Sequence, residues 1–220
     1  MQPLTILVKA LAGRRSAADV RPALFWIAVD GLLAGVGAIG LLASGQARVL
    51  WLGTAAIPVL LWRLWLVARR TERGHAAAEV VGAGALALAA PAGYIASGGS
   101  GVTGWVLWLL CWLQASGAIV YVYVRLTQRR MDAAPTWAVR WRLARHVLLI
   151  HAANGGIAAA LAVAGYAPLA VTFAFGVMLL EAVYGGLLRP AFQVKPVFIG
   201  VRQVGVIAVF TALLIAAYRL

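Results

Sequence analysis

Six residues inside the long apolar stretches of this chain carry groups that hydrocarbon does not accept alone: Asp30, Arg63, Glu79, His151, Glu181 and Arg202. Asn154, Gln203 and Gln114 add neutral amides in similar surroundings. A carboxylate at membrane depth is protonated, paired or wetted, and such groups usually face a bundle interior or a polar cavity. Asp30 lies eight residues past Pro22, about 12 Å along a helix. Glu181 lies eight residues before Arg189, at a comparable depth. The grouping points to a polar pocket in which Asp30, Glu79 and Glu181 face Arg63, Arg202 and His151, with Asn154 one helical turn from His151.

Each of these residues also has a plainer explanation. Arg63 and Arg202 have stems long enough to snorkel to an interface. Glu79 stands near a helix start, where a carboxylate complements the dipole. His151 and Asn154, three residues apart, suit an ordinary hydrogen bond between helices. Asp30 and Glu181 are the hardest to explain without a partner or a function.

Recognisable catalytic chemistry is missing, and no catalytic residue is assigned. Paired Asp-rich clusters would let Mg²⁺ hold a diphosphate, but Asp19, Asp30 and Asp132 stand alone. No HExxH, nucleophile elbow or GxxxxGK[ST] phosphate loop occurs. His75, His146 and His151 do not form a zinc or haem set, and the lone Cys111 offers neither a disulfide nor a thiol cluster. Neither a metal site nor a cofactor is expected.

The elements that must position these groups are seven apolar stretches, at 22–43, 49–68, 76–97, 103–124, 146–164, 166–188 and 197–218, each long enough to cross a hydrocarbon layer of about 30 Å. They predict an all-α, polytopic transmembrane helical bundle over 22–218, preceded by a basic segment at 1–21. Positive charge alternates between connectors: of the nineteen Lys and Arg, all but Arg48 and Arg219 fall on one side. The positive-inside rule then places the amino terminus in the cytoplasm and the carboxyl terminus outside. The connectors at 97–104 and 164–168 carry no charge, as translocated loops allow.

Composition agrees. With 64% hydrophobic and 11% charged residues and a mean hydropathy of +0.92, 220 residues could not hide their apolar surface in a water-soluble globule. The net charge of +13 is split among four basic segments, so anionic lipid headgroups on the inner side are the expected partner and nucleic acid is not. A location in a membrane follows. The amino terminus has an apolar run too short for a signal-peptide core.

Local signals refine the outline. Pro22 opens the first stretch, Pro91 with Gly93 and Tyr94 predicts a kink in the third, and most tryptophans fall near helix ends. The connector 125–145, with Trp137 and Trp141, reads either as a short helix on the inner surface or as a basic linker into the fifth span. Gly-rich runs at 31–40 and 82–93 indicate close helix packing.

The segment RRTERGHAAAEVVGAGALALAAPAGYIASGG (69–99), followed by WVLWLLCWLQASGAIVYVYVRL (105–126), resembles the YwiC-like integral membrane proteins of bacteria. The likeness extends more weakly through His151 to KPVFIG at 195–200. It singles out Arg73, Glu79, Pro91, Tyr94 and Tyr121. The resemblance implies an inner-membrane helical bundle and brings no biochemical activity with it. Family members usually begin with a Pro-Lys-Glu-His-Gly-Ala-Trp segment and two further helices, and this chain starts after that point. They also tend to place an acidic residue early in the last helix, where this chain has Arg202.

Three functions fit these observations. The first is binding or transport of a small polar or amphipathic molecule through a cytoplasm-facing pocket. The second is a lipid-modifying enzyme distantly related to membrane prenyltransferases, which would turn over a polyprenyl diphosphate. The third is a structural or assembly subunit of a membrane complex, with a membrane protein as partner.

Overall fold

The computed structural model describes residues 2–69 and 76–219. The described residues are helical, with no strand among them. Seven segments are long and apolar enough to span a bilayer: Ala17–Ala43, Ala47–Ala68, Ala76–Ala96, Gly101–Arg129, Trp137–Val163, Val171–Leu188 and Pro196–Ala217. This is a multi-pass membrane protein. It divides into two compact units, Met1–Gly104 and Trp105–Leu220.

The first unit opens with α1 (Gln2–Leu11), so part of the basic segment at 1–21 is itself helical. Helices α2 (Val20–Ala43) and α3 (Leu50–Ala68) follow, and α1 packs against both. Arg14 then ties the segment down, donating to the carbonyls of Val67 and, at 3.4 Å, Ala68 at the end of α3. A guanidinium suits that place, because the last carbonyls of a helix lack partners and carry partial negative charge. Gly45 ends α2 in the left-handed region (φ 73°), where Gln46 N–H reaches back to the Leu41 carbonyl at 2.7 Å.

The third span is interrupted where Pro91 predicts a kink. It comprises α4 (Ala76–Ala87) and α5 (Ala89–Ala96). Pro91 has no N–H to offer the carbonyl four residues back. The chain tightens just before it, Leu88 N–H donating to the Ala85 carbonyl at 3.3 Å.

The second unit consists of α6 (Gly101–Arg129, its first four residues in the first unit), α7 (Trp137–Val163), α8 (Val171–Val183), a π-helical turn (Tyr184–Leu188) and α9 (Pro196–Ala217). Phe175 of α8 and Phe210 of α9 meet edge to face at 5.1 Å. Leu110 of α6 and Val171 and Met178 of α8 close the core around them. Small residues on facing helices, among them Ala144, Ala158, Ala174 and Ala182, are fully buried, which lets backbones approach closely.

Two helix starts in the second unit differ from the sequence reading by five residues or more. The fifth span starts at Trp137, nine residues before its predicted start, so the stretch from Trp137 to Arg145 is the first part of α7 and neither a separate surface helix nor a free linker. At 27 residues α7 is about 40 Å long, more than a hydrocarbon layer of about 30 Å requires. The sixth span starts at Val171, five residues late, because Gly165 (φ 78°) and Pro168 build a turn after α7.

Candidate functional site

The second unit brings α6, α8 and α9 together at a buried polar centre. The Tyr121 hydroxyl on α6 donates to Glu181 Oε1 on α8 at 2.6 Å. Arg202 on α9 grips the same carboxylate with two donors, Nε to Oε1 and Nη2 to Oε2, each at 2.7 Å. This fork-to-fork geometry is the strong form of an ion pair, and it leaves Arg202 Nη1 without an acceptor among the described residues. Tyr121 is buried, the Glu181 side chain is 12% exposed, and the Arg202 side chain is 38% exposed, with its guanidinium 4.8 Å from the centre of the Tyr184 ring.

The close approach of α6 to the end of α8 depends on glycine. A Cβ at Gly185 would collide with the Tyr121 hydroxyl, and one at Gly186 would stand 3.1 Å from the Ala144 Cβ. The π turn at 184–188 points its carbonyls toward α6 and α7, where side chains meet them. Arg125 donates to the carbonyls of Gly185 and, at 2.5 Å, Arg189. Gln128 donates to Gly186 at 2.7 Å and accepts from the Ala191 N–H at 3.1 Å, and Arg140 reaches Leu187 at 3.3 Å. Arg125 also lies over the Tyr121 ring at 5.9 Å. A continuous chain of polar contacts thus runs Gln128, Arg125, Tyr121, Glu181, Arg202.

Further from the Arg-rich end, His151 and Asn154 of α7 lie flat on α6 at Gly117, where a Cβ would come within 3.1–3.3 Å of both. Asn154 Nδ2 donates to the Leu113 carbonyl at 2.7 Å. His151 Nδ1 is 3.0 Å from the Val147 carbonyl, so Nδ1 carries the proton and, in the neutral ring, Nε2 is the acceptor. On α9, Gln203 is buried, and neither its Nε2 nor its Oε1 has a partner among the described residues. Gln114 Nε2 on α6 is likewise buried and unmatched.

The polar residues singled out in the sequence divide between the units. Glu181 and Arg202 are joined, and His151 and Asn154 share Gly117. In the first unit, Asp30 is exposed on α2 and bonds to nothing among the described residues. Arg63 of α3 lies against α4, where a Gly82 Cβ would be 2.6 Å from its Nη1; Glu79 is one turn earlier on α4. Pro91 is buried, and the Tyr94 ring lies over Gly99. Arg73 lies outside the described residues. Arg125 and Gln128 were not singled out, although Tyr121, Arg125 and Gln128 recur at steps of four and three and so share a helix face.

The first unit also holds a cavity of 390 Å³ lined by Pro3 and Ile6 of α1 and by Arg15, Asp19, Pro22 and Trp26. Arg15 and Asp19 pair across 3.3 Å in its wall.

Comparison with known proteins gives one match. The model of the family described as YwiC-like protein matches residues 1–94, which runs from α1 into α5 and includes Arg73, Glu79, Pro91 and Tyr94 but not Tyr121. The resemblance therefore holds over residues 1–94, within the first unit, and reaches further toward the amino terminus than the residues that first suggested it. No curated protein and no solved structure matches the chain.

Proposed function

We propose that the protein binds a small polar or amphipathic molecule in the second unit, at a pocket on the cytoplasmic half of a bacterial inner membrane. In this reading the Arg-rich helix ends face the cytoplasm and Tyr121, Glu181 and Arg202 form the polar wall. The observation that carries the reading is Gln203. A buried amide with neither its donor nor its acceptor matched is costly, and such groups call for an occupant, whether water or ligand. Gln203 is next in the chain to Arg202, the most exposed member of the polar centre.

The test separates an occupied site from a packing defect. Purified wild type is expected to carry a small molecule detectable by mass spectrometry of an organic extract, and Gln203→Leu is expected to lose it. Identical extracts, together with a higher melting temperature for the variant, would reject the reading. Removing an unsatisfied buried amide stabilises by about 1–3 kcal/mol.

A second reading, assembly with a membrane partner, is favoured by Asp30. An exposed carboxylate partway along a spanning helix is expensive in lipid and is relieved by a cation or polar group on another chain. Under this reading Asp30→Leu abolishes co-purification of a stoichiometric partner; the same partner recovered with the variant would count against it.

A further inference from the structure

The polar centre carries more positive than negative charge. Two guanidinium groups share the single carboxylate of Glu181: Arg202 bonds it directly, and Arg125 lies over the ring of Tyr121, whose hydroxyl donates to it. The carbonyls at the end of the π turn offset part of the Arg125 charge, since a helix carboxyl end is worth about half a negative charge. Glu181 answers Arg202 with both oxygens, yet the pair leaves Arg202 Nη1 with no acceptor among the described residues. Its surroundings are apolar and exposed: Leu180 of α8 with Tyr184 and Leu188 of the π turn form one stripe at four-residue spacing, and Val197, Val201 and Val204 form another on α9. The Tyr184 ring under the guanidinium is itself 42% exposed.

A cation with a free donor, set one and a half turns inside α9 and opening between two apolar stripes, suits an anion that already has an apolar tail. We infer that Arg202 and Tyr184 form a lateral mouth to this site and take the phosphate of a membrane lipid directly from the bilayer. Arg–phosphate contact is charge-assisted, and Tyr184 supplies a flat surface for the first carbons of the lipid. Glu181 holds the guanidinium in place while the mouth is empty and competes with the phosphate for it. The inference rests on the ligand site proposed above and adds the ligand's charge and its route of entry.

The competition gives a test with a sign. Wild type, Glu181→Gln and the double variant Glu181→Gln/Arg202→Gln are reconstituted in phosphatidylcholine nanodiscs containing a minority of phosphatidylglycerol, and retained lipids are read by native mass spectrometry. Wild type is expected to retain phosphatidylglycerol over phosphatidylcholine. Glu181→Gln frees the guanidinium and is expected to raise that preference several-fold. The double variant removes the carboxylate together with the guanidinium it pairs, so it keeps the fold while losing the preference by about tenfold, the equivalent of 1.4 kcal/mol. Equal preference in wild type and double variant, or an unchanged or reduced preference in Glu181→Gln, overturns the inference. Inorganic phosphate is expected not to displace the lipid, and displacement would overturn entry from the bilayer. Because Gln203→Leu is read by extraction of any small molecule, a wild type that carries that molecule yet shows no preference for phosphatidylglycerol would reject the lateral mouth alone.

Discussion

At the scale of single residues, the second unit shows how a membrane protein keeps ionic groups inside without leaving them bare. Glu181 has three donors on two oxygens, from Tyr121 and Arg202, so its lone pairs are largely used. Buried ion pairs often add little net stability, because desolvation cancels attraction, whereas breaking one by removing a single partner is costly. Glycine is as necessary as charge here. Gly185→Ala would drive a methyl group into the Tyr121 hydroxyl, and is expected to destabilise by about 1–3 kcal/mol, measured as a lowered midpoint in thermal unfolding. A midpoint equal to wild type would show that Tyr121 has room to move. Glu181, Arg202, His151 and Asn154 were visible in the sequence because polar residues stand out in apolar runs. Tyr121 was not visible on composition alone, since an interfacial tyrosine looks the same as one aimed at a buried carboxylate.

At the scale of elements, the ends of helices carry the new information. Hydropathy locates the apolar middle of a span and misses turns in which arginines dilute the pattern. The fourth stretch was therefore expected to end at 124 although α6 continues to Arg129, and the fifth was expected from 146 although α7 starts at Trp137. Those hidden turns hold Arg125, Gln128 and Arg140, the groups that satisfy the π turn. Gly185-Gly186 was the only sequence hint of that turn, and it is equally a hint of ordinary close packing. An unsatisfied backbone group in hydrocarbon costs several kcal/mol. Gln128→Leu removes the partner of both the Gly186 carbonyl and the Ala191 N–H, and is expected to cost at least about 2 kcal/mol and to speed hydrogen exchange of the Ala191 amide. Unaltered exchange there would mean that water replaces the side chain.

At the scale of the whole molecule, seven spanning segments were legible because length and apolar composition suffice to identify them. The division into two units was not, since no linker or change in composition marks Gly104. Charge sidedness makes a further expectation. Reporter fusions within 130–136, the short segment between α6 and α7, are expected to report the cytoplasm, and fusions after Leu188 the same side. Periplasmic signal from 130–136 would invert the topology and place the polar centre in the outer half of the bilayer.

The capping of the π turn bears on biogenesis. Helices α6 and α7 precede α8 in the chain, so Arg125, Gln128 and Arg140 are synthesised before the carbonyls of residues 185–189 that they bond. The late segment thus meets a ready-made set of donors in place of bulk solvent. Were the gene rearranged so that α8 emerged first, those carbonyls would have to wait in lipid, and insertion efficiency would fall even though every native contact remained possible.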